Sequence, residues 1–326
     1  MDRRTFIGSI SGGLFTLQLD ANAQSPPKIA RVGYLNSSPR DATPSSTSTF
    51  YAGLRELGFV EGKNVVIDFR YADTDDRMRE RATELIGAGA QVIFAANPYA
   101  LRAARAVTTT LPIVAYNYED DPVAAGYAAS LARPGGNVTG VFLDQAEVSA
   151  KQLQLLKEMM PGMSRVAVLW DAPLAAAQRQ AVEDAGRRLG ITVSPIVWRG
   201  TDALPGALRS AAQDGAQGLI VLSTPRIGDR HRALVADEVS KSRLPAIALT
   251  ADFAQAGLLM AYGPVRRDMY RIAATLVARI LDGARPAELP IERPVRFALA
   301  VNVKTAKALG LTFPQSLLLR ADEVIQ

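Results

Sequence analysis

The chain has 326 residues, of which 48% are hydrophobic, 21% charged and 6% aromatic, and its 37 basic and 32 acidic residues give a formal net charge of +5. This composition is typical of a globular protein and excludes disordered and collagen-like classes. A chain of this length exceeds what one hydrophobic core usually serves, so we expect two domains. The basic residues are scattered in groups of two or three, which favours solvated helix surfaces over a nucleic-acid-binding surface.

The chain contains no cysteine and a single histidine, His231. Disulfides, thiolate nucleophiles, iron–sulfur clusters and zinc sites built on cysteine are therefore excluded, and no metal or cofactor is expected. A Ser-His-Asp enzyme would have to use His231, which lies between two arginines in the polar segment "IGDRHRALVADEV". This context predicts a surface histidine near the start of a helix.

The first 23 residues have the pattern of an export signal. Arg3 and Arg4 precede a modestly apolar stretch over 6–19, and Ala21-Asn22-Ala23 has the form of a cleavage site. The paired arginines resemble a twin-arginine signal, although Asp2 leaves the general secretory route open. An amphipathic N-terminal helix is the alternative.

The chain after residue 23 contains no apolar run of the ~18 residues that a membrane-spanning helix needs. Because the sequence also lacks a cysteine for lipidation, we expect an exported periplasmic protein without a lipid anchor.

Short β-branched runs alternate with helical stretches from residue 28 onward, which indicates parallel sheets with crossover helices. Strands are predicted at 29–35, 64–72, 91–97, 112–117 and 137–143 in the first half. Further strands are predicted at 165–171, 192–198, 218–224, 245–250 and 258–263 in the second half. Helices are predicted at 50–57, 76–86, 99–109 and 266–281, followed by a strand at 295–302 and a short helix from residue 304.

The two halves have similar layouts. In each, a Leu-Gly pair, Leu57-Gly58 or Leu189-Gly190, precedes the second strand at the end of a helix. This indicates two lobes of one fold, although α/β chains in general share such features. Two open sheets facing each other would form a cleft that closes on a ligand by a hinge motion.

Five long segments resemble the ABC-transporter substrate-binding proteins of the tryptophan/tyrosine-type group. They are "RVGYLNSS", "GLRELGFVEGKNVVIDFRYA", "DDPVAAGYAASLARPGGNVTGV", "LMAYGP" and "LAVNVKTAKALGLTFPQSLLLRADEVI", which together extend over nearly the whole chain after the leader. The resemblance implies an α/β fold of the type I periplasmic-binding-protein class, with two Rossmann-like lobes joined by a three-crossover hinge. Lobe 1 would comprise 28–143 plus about 263–290, and lobe 2 would comprise 144–262 plus about 291–326.

The same resemblance implies the function and the partners. The protein would be a monomer that binds a small molecule, namely an amino acid (an aromatic one among the candidates) or a related organic acid, and delivers it to an ABC permease with its ATPase. It would meet the membrane only through that permease and would have no catalytic activity. Two other classes stay open: a ligand-sensing domain of the same fold, and a secreted α/β enzyme using Asp, Ser or Lys chemistry.

Candidate ligand-binding residues follow the strands, because ligands of open parallel sheets lie beyond the carboxyl ends. After the first strand, the polar groups of Asn36, Ser37 and Ser38 would bind a ligand carboxylate. Alternatively, they would make hydrogen bonds within the loop and cap a helix. In lobe 1, the resemblance places Asn97 and Pro98 at the cleft. Tyr99 would either stack on a ring of the ligand or cover an edge of the lobe. By the same resemblance, Asp121 of an Asp-Pro-Val motif pairs with a ligand ammonium, caps a short helix from Val123, or does both. Lobe 2 contributes Asp171, Ser223, Thr224, Thr250 and Tyr262.

The glycine-rich stretch "RPGGNVTG" at 133–140 is not a phosphate-binding loop. A Walker motif needs Lys and Ser or Thr after its glycines and runs from a strand into a helix. Here the predicted order is reversed, with a helix ending at Ala132 and a strand beginning at Asn137. The glycines are therefore expected to serve backbone geometry alone.

Overall fold

The computed structural model describes residues 29–39, 44–118, 120–172 and 174–326, so the predicted export signal lies outside the described residues. The strands are β1 (Ala30–Asn36), β2 (Val65–Tyr71), β3 (Val92–Ala95), β4 (Ile113–Ala115), β5 (Val138–Gly140), β6 (Arg165–Trp170), β7 (Thr192–Val197), β8 (Gly218–Val221), β9 (Ala246–Ala248), β10 (Met260–Pro264), β11 (Phe297–Asn302) and β12 (Glu323–Ile325). The α-helices are α1 (Pro44–Glu56), α2 (Asp75–Gly87), α3 (Pro98–Val107), α4 (Gln145–Met159), α5 (Ala176–Leu189), α6 (Leu204–Gln213), α7 (Arg232–Ser242), α8 (Ala251–Gln255), α9 (Arg266–Leu281), α10 (Val303–Ala308) and α11 (Gln315–Leu318).

The first sheet consists, within the described residues, of five parallel strands in the order β2-β1-β3-β4-β5. All four residues of β3 are buried, as expected for a central strand that is covered by helices on both faces. Its register places Val32 of β1 beside Val92 of β3. The buried apolar side chains of this sheet form the core of lobe 1.

The second sheet consists, within the described residues, of seven strands in the order β12-β11-β10-β9-β8-β6-β7. Only the pairing of β10 with β11 is antiparallel, and it places Tyr262 opposite Leu299. Its core includes Leu156 of α4 together with Val168 and Ile220 of the central strands. Helix α4 therefore belongs to lobe 2, although it directly follows the last strand of the first sheet.

Helix α9 packs on the first sheet even though its sequence follows β10 of the second. Its buried residues Tyr270, Ala273 and Val277 share one hydrophobic cluster with Val32 and Phe94. Within the described residues the chain thus passes between the lobes three times: before α4, before α9 and before β11. The predicted class, α/β with two lobes and a three-crossover hinge, is confirmed.

The prediction of a helix that ends at Ala132 is wrong. The chain forms a hydrogen-bonded turn over 122–126 and then runs irregularly to β5. Gly126 adopts a left-handed φ of 71° and Gly135 a φ of 78°, so helical hydrogen bonding cannot continue from the first turn. The predicted backbone role is therefore observed for Gly135 in the "RPGG" stretch.

None of the helices in the described part of the chain is long and apolar enough to span a membrane. His231 lies at the N-terminus of α7 and is half-buried, with its ring 5.5 Å from that of Trp198.

Candidate functional site

A pocket lies between the two lobes, where the carboxyl ends of both sheets face each other. It encloses about 810 Å³ of space not occupied by atoms, part of it open to solvent. We call it the cleft pocket, and its lining residues are Ala96, Asn97, Pro98, Tyr116, Asn117, Leu143, Gln145, Leu174, Val221, Ser223, Thr224, Pro225, Gly228, Leu249, Thr250, Phe253, Pro264, Arg266 and Met269. Most of its wall is apolar.

Asn97, at the end of β3, is held by hydrogen bonds at both ends of its amide. Its Oδ1 accepts from the backbone N–H of Ala100 at 3.0 Å and so caps helix α3. Its Nδ2 donates to Oδ1 of Asn36 at 2.7 Å and to Oγ of Ser37 at 3.0 Å. The structure thus brings three of the predicted residues together, although Asn36 does not line the pocket.

Asn117 and Gln145 present amide groups to the cleft pocket from the other side of lobe 1 and from the first crossing. Oδ1 of Asn117 accepts from the backbone N–H of Leu143 at 3.2 Å. Oε1 of Gln145 accepts from Nε2 of Gln178 at 3.0 Å. The same Nε2 also donates to the backbone carbonyl of Ser223 at 3.1 Å. The crossing segment is therefore tied to both lobes.

Lobe 2 contributes Ser223, Thr224 and Thr250, all predicted, at the ends of β8 and β9. Oγ1 of Thr250 is buried and has no hydrogen-bond partner among the described residues. Such a buried group costs free energy unless something fills its hydrogen-bonding capacity. It is thus suited to receive a polar atom of a bound molecule.

Arg266 brings positive charge to the wall of the cleft pocket. Its Nη1 lies 3.7 Å from Oδ2 of Asp252, and Nη1 of Arg232 lies 2.8 Å from the same oxygen. Two guanidinium groups thus approach one carboxylate oxygen at this part of the wall.

A second depression lies beside the cleft pocket and also takes residues from both lobes. It encloses about 730 Å³ of space including open solvent, and it is lined by Ser37, Ser38, Ala72, Asp73, Thr74, Asp75, Met78, Tyr99, Pro225 and Arg226. The predicted residues Ser37, Ser38 and Tyr99 therefore face this depression. Two guanidinium groups lie near the Tyr99 ring, with Cζ of Arg102 at 5.1 Å and Cζ of Arg226 at 5.6 Å from its centroid.

Asp171 follows β6 and is fully buried beside Tyr99. Its Oδ1 lies 3.5 Å from Nη1 of Arg226, and its Oδ2 has no partner at bonding geometry in the described residues. Burial raises the pKa of Asp171 above its ordinary value, while Arg226 and the facing hydroxyls of Thr224 and Tyr99 lower it in part. Burial, reinforced by the charge of Asp171, raises the pKa of Tyr99 to about 12.

Two predicted residues lie away from both depressions. Asp121 is exposed, and its Oδ1 accepts from the backbone N–H groups of Val123 at 2.7 Å and Ala124 at 3.1 Å, so it caps the turn. Tyr262 is half-buried in β10 with its ring stacked 5.9 Å from that of Phe297. Neither lines the cleft pocket.

Sequence reasoning missed several residues of the cleft pocket, chiefly Tyr116, Asn117, Gln145, Phe253 and Arg266. Asn117 had a signal, because it is the last residue of the strand predicted at 112–117. Gln145 and Arg266 had none, because they lie on segments that cross between the lobes, and their position depends on how the lobes pack. No cluster of three or more His, Cys, Asp or Glu suited to a metal occurs in the described residues.

A family model described as ABC transporter substrate binding protein matches residues 38–325. A curated tyrosine-binding protein of Clostridioides difficile is 25% identical over 272 residues, which cover 80% of this chain and 75% of that protein. The crystal structure of an ABC domain in complex with L-tryptophan from Streptococcus pneumoniae is 22% identical with a TM-score of 0.81, over 91% of this chain and 99% of that one.

The ligand-free, open structure of a substrate-binding protein with adhesive properties from Clostridium difficile has a TM-score of 0.67 and is 22% identical, over 91% of this chain and 99% of that one. At this level of identity the two structural likenesses establish the fold. The family model extends over almost the entire described chain. This protein therefore belongs to the ABC transporter substrate-binding protein family.

Proposed function

We propose that the protein is the extracytoplasmic solute-binding component of an ABC importer. In this role it binds a small molecule in the cleft pocket and delivers it to the permease in the membrane, without changing it chemically. The observation that carries the proposal is the cleft pocket itself, lined by both lobes at the carboxyl ends of both sheets. A ligand there contacts both lobes at once, so its binding energy favours the closed arrangement.

The solute is an amino acid, aromatic in character, or a related organic acid. Two relatives support this class: one is a tyrosine-binding protein and the other is a complex with L-tryptophan. The apolar part of the cleft pocket includes Tyr116, Phe253 and Met269, which suit a ring, and the polar part includes hydroxyl and amide groups.

The export leader and the delivery step complete the proposal. Residues 1–23 have the pattern of a signal peptide, and a solute-binding protein that meets its permease outside the cytoplasm requires export. The ligand-loaded protein is expected to stimulate the ATPase of its transporter in proteoliposomes, and the ligand-free protein is expected to do so less.

Thermal denaturation against a panel of amino acids and aromatic acids tests the binding role. A solute at about 100 times its Kd should stabilise the protein by about 2.7 kcal/mol, because it binds the folded state alone. Mass spectrometry should then recover the bound compound unchanged after denaturation. The proposal fails if no compound in a broad panel shifts the melting temperature, or if a stabilising compound is recovered as a different product.

A further inference from the structure

Asp171 and Tyr99 come from different lobes and meet where the lobes touch. Asp171 directly follows β6 of lobe 2, and Tyr99 lies in the first turn of α3 in lobe 1. Asp171 has none of its surface exposed and Tyr99 has 8%, and the Tyr99 hydroxyl faces the Asp171 carboxyl group. A carboxyl group of one lobe is therefore enclosed against a side chain of the other.

The segment that carries Asp171 takes part in the contact between the lobes. The backbone N–H of Leu174 donates to the carbonyl oxygen of Asp171 at 2.9 Å, and the Leu174 side chain is buried in the hydrophobic cluster of lobe 1 that includes Tyr99. Arg226 of lobe 2 also lies over the Tyr99 ring. Separation of the lobes would therefore withdraw Leu174 and Tyr99 from each other and admit water to Asp171.

The charged and titratable groups around this contact come from α2 and α3 of lobe 1 and from the segment after β8 of lobe 2. They are Asp73, Asp75, Tyr99, Arg102 and Arg226. Nη1 of Arg226 lies 3.5 Å from Oδ1 of Asp171, and the hydroxyl of Thr224 also faces the carboxyl group. Both of these partners belong to the same lobe as Asp171, so lobe separation does not by itself remove them.

Contact between the lobes and protonation of Asp171 are coupled. Burial disfavours the ionised carboxyl group, and the pKa of Asp171 is raised above its ordinary value where the lobes touch. Water that enters on separation would stabilise the ionised form and lower this pKa again. The closed arrangement therefore holds the proton of Asp171 more tightly than an open one. We propose that Asp171 is a pH-dependent switch of lobe closure, whose neutral form favours contact with Tyr99 and whose ionised form favours separation.

The direction of the pH dependence follows from this coupling. As the pH falls through the pKa that Asp171 has in the closed arrangement, closure becomes more favourable, and as the pH rises it becomes less favourable. Each unit by which closure raises this pKa changes the ratio of closed to open protein by up to about ten-fold. Because the cleft pocket is lined by both lobes, solute affinity should rise with the same fall in pH. This last consequence rests on the proposed function, whereas the switch itself does not.

Small-angle X-ray scattering of the ligand-free protein between pH 4 and pH 8 tests the switch without any solute, with circular dichroism to verify that the protein is folded at each pH. The radius of gyration of the unmodified protein should increase with pH. Asp171→Asn should keep the smaller radius at every pH, because its side chain is neutral throughout. A constant radius in the unmodified protein, or the same increase in Asp171→Asn, would overturn the proposal.

His231 provides the matched control. It is the one histidine of the chain, and histidine is the side chain whose ordinary pKa lies within this pH range. His231→Gln should keep the increase in radius of the unmodified protein. Loss of the increase in His231→Gln would assign the pH dependence to the histidine and overturn the role of Asp171.

Tyr99→Phe tests the pairing across the interface. This variant keeps the ring against Asp171 and removes the hydroxyl, which lowers the pKa of Asp171 in part. The midpoint of the change in radius should therefore move to higher pH. A midpoint that stays in place or moves to lower pH would overturn the pairing of Asp171 with Tyr99 on which the switch depends.

Isothermal titration calorimetry with L-tryptophan, and with any compound that stabilises the protein in the thermal panel, connects the switch to the cleft pocket. The affinity of the unmodified protein should be higher at pH 5 than at pH 7.5, and this difference should disappear in Asp171→Asn, where any titration of the solute itself is retained. A solute that binds the unmodified protein equally at both pH values would overturn the coupling. If no solute binds while the radius still depends on pH through Asp171, the switch stands and the proposed function fails.

Discussion

Asp171 is a fully buried carboxyl group, and few neighbouring groups stabilise the negative charge of its ionised form. Its second oxygen has no partner at bonding geometry within the described residues, and Arg226 lies at 3.5 Å from the first. Desolvation dominates over the favourable neighbours and raises the pKa of Asp171. The folded protein therefore binds a proton at this position more readily than the unfolded chain does.

This shift predicts a specific pH dependence of stability. Folding raises the pKa of Asp171. Its contribution to the free energy of unfolding is therefore most favourable below the pKa of the unfolded chain, and it is lost as the pH rises through the pKa of the folded protein. Asp171→Asn removes the ionisable group and should flatten the acidic part of the stability curve, with a higher relative stability at neutral pH. Thermal denaturation between pH 4 and pH 8 measures this effect.

The exposed residue Asp282 provides the control for that experiment. Asp282→Asn should leave the shape of the stability curve as it is in the unmodified protein. An Asp171→Asn variant whose curve has the same acidic slope as the unmodified protein would contradict the assigned role.

At the scale of elements, Asn97 joins β3, α3 and the loop after β1. It caps α3 through Ala100 and binds Asn36 and Ser37 across 61 and 60 positions of the chain. The residue is nearly fully buried, with 3% of its surface exposed. One side chain therefore sets the start of a helix and one wall of the cleft pocket at the same time.

Asn97→Ala should destabilise the protein by about 2–4 kcal/mol, because it removes a helix cap and the two hydrogen bonds that Asn97 donates to Asn36 and Ser37 in a largely buried region. Thr74→Ala removes the cap of α2, whose hydrogen bond to Arg77 is long at 3.4 Å and lies in an exposed region, and it should cost about 1 kcal/mol or less. Urea denaturation of both variants gives the comparison. Equal losses would mean that Asn97 acts as a simple cap.

At the scale of the whole molecule, residues of lobe 2 reach into lobe 1. Leu174, which follows β6, is buried in the hydrophobic cluster that contains Tyr99 and Phe142 of lobe 1. Arg226 of lobe 2 lies over the Tyr99 ring. The arrangement described is thus one in which the lobes touch, and separating them would expose Leu174.

Leu174→Ala should shift the ligand-free protein toward a more open arrangement, because burial of a leucine side chain contributes about 1.5–3 kcal/mol. Small-angle X-ray scattering should show a larger radius of gyration than in the unmodified protein. Leu208→Ala deletes an equally buried leucine inside lobe 2 and should cost about 2–5 kcal/mol of unfolding free energy with an unchanged radius. A Leu174→Ala protein with the original radius would show that this contact does not hold the lobes together.

Most of the fold, and part of the candidate site, could be predicted from the sequence. Alternating strand and helix patterns predicted both sheets, and the rule that ligands lie at carboxyl ends of parallel strands led to Asn97, Ser223, Thr224 and Thr250, which line the cleft pocket. Whether these residues bind the solute stays a prediction. The same reasoning placed a helix before β5, where the left-handed Gly126 allows only a turn.

Local sequence determined the α/β alternation and the approximate positions of the strands, because these depend on side-chain periodicity over a few residues. The tertiary structure alone decided that Gln145 and Arg266 face the cleft pocket, that Tyr262 stacks on Phe297, and that Asp171 meets Tyr99. It also decided which hydrogen-bond partners orient the amides of Asn97, Asn117 and Gln145. Those properties depend on partners far apart in the chain, such as Gln178 and Ser223, and local periodicity carries no information about such pairs.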